Sequence, residues 1–151
     1  ECAQSLTSGS GSFDCVPATE NVTYSFDLRA EDNAGNLSAV PSGNGQASTV
    51  YDTVAPEPGT LTASPYSKTA PLMIKYNGAE DNLSGLAEVR LWVKKGKSGT
   101  WTDTAQTAST ESGTFEYAPT GEDQYFFFLQ AKDKAGNSSA APTDTLVFGG
   151  V

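Results

Sequence analysis

The sequence predicts an all-β chain made of antiparallel two-sheet sandwiches. Three observations carry this. Apolar and polar residues alternate with period two in several runs, the mark of half-buried strands. Clusters of Gly and Asn punctuate those runs. One segment is written twice without gaps, 101 residues apart, and its two copies agree at 11 of 19 positions. A repeat of about 100 residues suits a whole β domain rather than a solenoid unit. No stretch sustains a helical period.

In chain order, the segment 71–76 (PLMIKY) reads as a strand. In 86–95 (LAEVRLWVKK), Ala87, Val89, Leu91 and Val93 share one face, and Glu88, Arg90, Trp92 and Lys94 share the other. Segment 113–118 (GTFEYA) is a further strand. In 124–132, Tyr125, Phe127, Leu129 and Ala131 face one way, and Phe126, Phe128 and Gln130 the opposite way. A last strand is expected at 145–148 (TLVF). Turns fall at Asn77-Gly78, at 96–99 and at Gly136-Asn137.

The repeat also sets the domain organisation. Segment 24–42 (YSFDLRAEDNAGNLSAVPS) matches 125–143 (YFFFLQAKDKAGNSSAAPT). Residues 56–102 have no counterpart upstream. The expected division is therefore a C-terminal part of one sandwich at 1–50, a linker at 51–58 stiffened by proline, and a complete sandwich at 59–151. Strands are expected at 13–16 and 22–31 of the first part, where Tyr24, Phe26 and Leu28 lack the strands that would cover them. Those strands are expected from a separate peptide or from a neighbouring chain that adds to the open edge.

The pattern Y-x-F-x-L-x-A-x-D-x-A-G-N, at 24–36 and again at 125–137, resembles the penultimate strand and following turn of bacterial immunoglobulin-like domains. These are similar to fibronectin type III modules. The linker D-T-V-A-P (52–56) and the segment A-E-D-N-L-S-G-L (79–86) are similar to the same family's opening segment and its loop between the second and third strands. The resemblance implies an immunoglobulin-like sandwich, repeated in tandem in a larger secreted or cell-surface bacterial protein. It implies no particular activity, because such modules serve many roles.

Composition narrows the function. Eighteen acidic residues against nine basic ones give a formal charge of −9, which disfavours nucleic acid and anionic membrane as partners. No apolar run approaches the roughly 20 residues of a membrane span. There is no histidine, so the usual general base and metal ligand are missing. No phosphate loop or nucleophile elbow occurs, and no carboxylate pair stands out from an acidic surface. The chain is not expected to be an enzyme.

The two cysteines, Cys2 and Cys15, align with Thr104 and Tyr117 of the second copy, which read as facing positions. A disulfide in an oxidising, extracytoplasmic setting accounts for them. A metal site is the other reading, although no His or third Cys accompanies them.

Two candidate sites remain. Trp92, Phe126 and Phe128 project from the outer face of neighbouring strands, whereas the first copy has Ser25 and Asp27 where the second has Phe126 and Phe128. The core cannot explain that difference. Either the patch is an interface, or Trp101 and the 96–112 segment fold over it. The second candidate is acidic. Asp52 of the linker, Glu80, Asp81 and Asn82 of the 79–86 loop, and Asp133 of the last turn are expected at one end of the sandwich. Hard oxygen donors there suit Ca²⁺. The competing reading makes Asp52 and Asp133 turn caps and leaves Glu80 and Asp81 solvated; in the repeated D-x-A-G-N turn itself, Asp32 and Asp133 can bond their own backbone, with Gly35 and Gly136 at positive φ.

The expected function is a non-catalytic structural or adhesive module of a secreted or cell-surface bacterial protein. The alternative is a glycan-binding appendage of an extracellular enzyme, with glycan or protein as ligand.

Overall fold

The computed structural model describes residues 4–144. The expected strand at 145–148 and Cys2 lie outside them. The chain packs as two compact units, Glu1–Thr53 and Val54–Val151. The expected linker at 51–58 is thus divided between them. Among the described residues there is no helix.

The second unit is a sandwich of two three-stranded antiparallel sheets. Its strands are β3 (Thr60–Ala63), β4 (Leu72–Asn77), β5 (Leu86–Lys95), β6 (Thr102–Ala108), β7 (Ser112–Tyr117) and β8 (Tyr125–Asp133). One sheet has the order β3-β4-β7 and the other β6-β5-β8. The alternation of β5 and β8 decides which face goes inward. Val89, Leu91, Leu129 and Ala131 are buried with Ile74, Tyr76 and Phe115 from the opposite sheet and with Ala79 just beyond β4, and Phe127 packs against them. Each of the Val, Leu and Ile side chains contributes about 1.5–3 kcal/mol on burial. The rings lock together at Tyr76–Phe115 (5.1 Å) and Tyr117–Phe127 (5.6 Å). Tyr76 lies across from Gly113 in the register, and a Cβ at Gly113 would strike its ring. Glycine there is a packing requirement.

The first unit contains a two-stranded antiparallel sheet, β1 (Val22–Phe26) with β2 (Ala47–Tyr51). Strand β1 is shorter than the expected 22–31, and residues 13–16 form no strand. Its counterpart β8 runs on to Asp133 because β5 pairs with it along its length. Among the described residues β1 has β2 alone beside it. Phe26 and Leu28 are exposed, while Tyr24 is half-buried.

Both units carry the same two local devices. In β1 the Tyr24 hydroxyl donates to the Thr19 carbonyl (2.8 Å), and at the start of β8 that of Tyr125 donates to the Gly121 carbonyl (2.9 Å). This is the corner that pins the approach to the penultimate strand of immunoglobulin-type sandwiches. At the other end, each D-x-A-G-N sequence closes a turn on its aspartate.

Strands β2, β3 and β6 are not legible as alternating runs. Strand β6 is TDTAQTA, and only Ala108 packs against the core. Strand β3 has four residues and a single core contact, Leu61.

Candidate functional site

The outer face of the β6-β5-β8 sheet presents paired rows. The β5–β8 register sets Glu88 beside Lys132, Arg90 beside Gln130, Trp92 beside Phe128, and Lys94 beside Phe126. On the other side Trp92 pairs with Asp103. A register shift between Arg90 and Trp92 lets the Asp103 carboxylate reach along the sheet to Arg90. The Arg90 guanidinium donates to Asp103 (2.6 Å) and to Glu88 (3.0 and 3.2 Å). Asp103 first, and Glu88 second, raise the Arg90 pKa above its usual value. The Asp103 carboxyl is held below its ordinary range, most strongly by the Ala105 N–H (2.8 Å) and then by Arg90. Ala105 takes a left-handed φ of 59° to make that bond.

Next to this ion triad, the Trp92 indole N–H donates to the Gln130 carbonyl oxygen (3.2 Å), and the Gln130 amide donates to the Ser139 carbonyl (3.1 Å). Trp92, Arg90, Glu88, Gln130, Lys132 and Ser138 line a depression of about 230 Å³.

The far end of the face differs from the open patch expected at Phe126 and Phe128. Both rings are half-buried. Trp101 meets Phe128 edge-on at 6.0 Å. The Lys94 ammonium lies 5.3 Å from the Trp101 ring and 5.8 Å from Phe126, and Lys94 is only 7% exposed. The Trp101 N–H donates to the Thr143 carbonyl (3.3 Å), and Asp144 faces Lys94 at 3.9 Å. The chain's own 96–112 segment therefore folds over these rings. Of the three predicted aromatics, Trp92 alone opens onto the depression.

The acidic residues divide as follows. Asp81 caps its own loop, accepting from the N–H groups of Leu83 (3.1 Å) and Gly85 (2.6 Å) through one carboxylate oxygen. Asp133, 1% exposed, accepts from the N–H groups of Gly136 (2.6 Å) and Asn137 (2.8 Å) and from the Asn137 amide (2.8 Å). The two loops touch: Lys134 N–H donates to the Gly85 carbonyl (3.0 Å) and Ala135 N–H to the Ser84 hydroxyl (3.3 Å). A carboxylate oxygen of Asp81 lies within 4.8 Å of one of Asp133. Glu80 and Asn82 are exposed, and the Glu80 backbone exchanges two hydrogen bonds with Glu57. Asp52 is buried and belongs to the first unit.

Cys15 is half-buried in the first unit. In the second unit the equivalent positions, Thr104 and Tyr117, sit on β6 and β7, which belong to different sheets. A bridge there would span a sandwich edge rather than join neighbours in one sheet. The second unit crosses that edge with the Gln106 amide, which donates to the Glu116 carbonyl (2.9 Å).

A two-sheet sandwich with a tyrosine corner and a capped D-x-A-G-N turn defines an immunoglobulin-like domain. The chain belongs to the bacterial Ig-like domain family, which it matches over residues 46–149. It is 32% identical over 126 residues to chitinase A1 of Niallia circulans, covering 82% of this chain and 17% of that enzyme. It is 35% identical over 121 residues to exoglucanase A of Cellulomonas fimi, covering 78% of this chain and 13% of the enzyme. Exoglucanase B of the same organism is 34% identical over 148 residues, covering 91% of this chain and 12% of the enzyme. The chain thus spans less than a fifth of each of these relatives. No solved structure matches it. Among the described residues no helix is long and apolar enough to cross a membrane.

Proposed function

We propose that the chain is a non-catalytic accessory module of an extracellular polysaccharide-degrading enzyme, a structural element that spaces and orients the enzyme's working parts on polymer. The observation that supports this is the size of its matches: 78–91% of the chain aligns with 12–17% of a chitinase and two exoglucanases. A stretch shared by enzymes of different substrate names is more economically a common appendage than a catalytic centre. The absence of histidine in the sequence agrees with this. The test is deletion of the module from its parent enzyme. Turnover of a soluble oligosaccharide stays the same and hydrolysis of insoluble polymer falls; an equal loss on both substrates overturns the reading.

The second reading, contact with the glycan itself, is favoured by the depression at Trp92. An adhesive role toward another protein has the same face available.

Ca²⁺ is proposed at the loop end of the second unit. Two oxygens bound to one Ca²⁺ at about 2.3–2.6 Å are separated by no more than about 5 Å, and the Asp81–Asp133 spacing fits that limit. Glu80 and Asn82, exposed in the same loop, are the further donors this proposal calls on. Their hydrogen bonds already make Asp81 and Asp133 turn caps, and calorimetry after chelator treatment separates the two roles. Binding heat that disappears in Asp81→Asn supports the ion. No heat at millimolar Ca²⁺ with an unchanged melting temperature leaves the caps alone.

A further inference from the structure

We infer that the depression beside Trp92 binds one ring of a neutral pyranose chain; this rests on the accessory-module reading above and gives that module a contact of its own with polymer. The charge pattern points to a neutral ligand. The chain carries −9 overall, yet on this face Glu88 and Asp103 are balanced by Arg90 and Lys132, with Arg90 ion-paired to both carboxylates. An anionic ligand would need an excess of cations, and a cationic ligand an excess of carboxylates.

The chemistry of the rim suits hydroxyl groups. Each sugar hydroxyl both donates and accepts. Around the indole stand a guanidinium and an ammonium as donors, two carboxylates as acceptors, and the Gln130 amide, which does both. The guanidinium with its two carboxylates, and the Gln130 amide, are held before any ligand arrives. Arg90 is tied at three distances between 2.6 and 3.2 Å, and Gln130 is held from both sides by Trp92 and Ser139. Preorganised polar groups lose little entropy on binding. Trp92 supplies the apolar surface that the C–H face of a pyranose stacks on.

Size and position agree. At about 230 Å³ the depression falls below the roughly 300–1,000 Å³ of sites that enclose a small molecule. It accommodates one unit of a longer polymer. It lies on a sheet face, where a chain can run past, and the Lys94–Trp101–Phe126 cluster closes the other end of that face.

The experiment titrates the full chain with cellohexaose, chitohexaose and the anionic polygalacturonate, read by tryptophan emission and by chemical-shift changes of the side-chain amides. The expected result is saturable binding of at least one neutral oligosaccharide and none of polygalacturonate. The two neutral arms separate an N-acetylated from an unsubstituted ring. Trp92→Ala weakens binding about tenfold, in keeping with the loss of one aromatic stacking contact. Because Trp92 is half-buried, the exposed Lys132→Ala serves as a second variant with the fold intact, and it weakens binding as well. Trp101→Phe leaves binding unchanged. Absence of binding by the folded wild type, preference for the anionic polymer, or an equal loss in Trp101→Phe overturns the site. The deletion experiment on the parent enzyme is independent. A deletion effect without oligosaccharide binding removes this site and leaves the accessory role standing.

Discussion

The Asn137 side-chain amide donates to the Asp133 carboxylate at 2.8 Å, and 101 residues earlier Asn36 donates to Asp32 at the same 2.8 Å. The copies match beyond this pair. In each, the aspartate N–H donates to the asparagine carbonyl at 3.0 Å, and a serine two residues on closes the ladder to an alanine. Gly35 and Gly136 sit at φ 89° and 102°. The surroundings differ. Asp133 is 1% exposed against the 79–86 loop, and Asp32 is exposed. Sequence identity has fixed the turn, and its neighbours have decided its energetic weight.

That difference predicts unequal costs. Asp133→Ala removes a buried carboxylate and leaves the N–H groups of Gly136 and half-buried Asn137 without their acceptor. A hydrogen bond to a charged group is worth about 1.5–3 kcal/mol, so the variant is expected to lose roughly 2–4 kcal/mol of the second unit's stability. Asp32→Ala is expected to change stability far less, because water replaces the carboxylate. Urea melts of the two variants side by side make the comparison, and equal shifts refute it.

Asp32 gives a pH prediction. The Asn36 side-chain amide, more than any other group, holds its carboxyl below the ordinary value of 3.8. A carboxyl with a depressed folded-state pKa stabilises the fold above its unfolded value, and the contribution disappears as pH falls through the folded one. The local turn is therefore intact above about pH 4 and loosens below it. Asn36→Leu removes the leading cause. In a carboxyl-detected NMR titration the Asp32 midpoint should rise toward its ordinary value, and an unmoved midpoint assigns the depression to the backbone N–H groups.

Cys2 and Cys15 are predicted to form a disulfide. Closing a loop of about 13 residues stabilises by roughly 3 kcal/mol in the chain-entropy description. Reduction is expected to lower the stability of the first unit and leave the second unchanged. Mass spectrometry after alkylation without reductant decides the pairing: two modified thiols sink it.

Lys94 is expected to act as a clamp. Its ammonium stands between Trp101 and Phe126, with Asp144 at 3.9 Å. A desolvated cation–π contact contributes about 2 kcal/mol. In a Trp92→Phe background, where Trp101 is the remaining tryptophan, Lys94→Ala should shift its emission to the red and destabilise by about 1–2 kcal/mol. Emission that stays put would show that Trp101 is held by Phe128 and the Thr143 carbonyl alone.

The sequence by itself determined the fold class, the strands β4, β5, β7 and β8, the inward residues of β5 and β8, and both D-x-A-G-N turns. These are legible because period-two alternation and turn chemistry are local properties, written in neighbouring side chains. Strands β2, β3 and β6 were not legible, because their residues are mostly small and polar and they owe their extension to the ladder beside them. Only the tertiary structure decided what happens on the outer face. The same alternation that projects Phe126 and Phe128 outward says nothing about Trp101, which returns just before β6 to meet Phe128, or about Lys94, which lies against Phe126. It likewise cannot show that Arg90, Glu88 and Asp103 close into a balanced triad beside Trp92. That contact depends on a register shift between β5 and β6, and register is set by the packing of whole sheets rather than by any single segment.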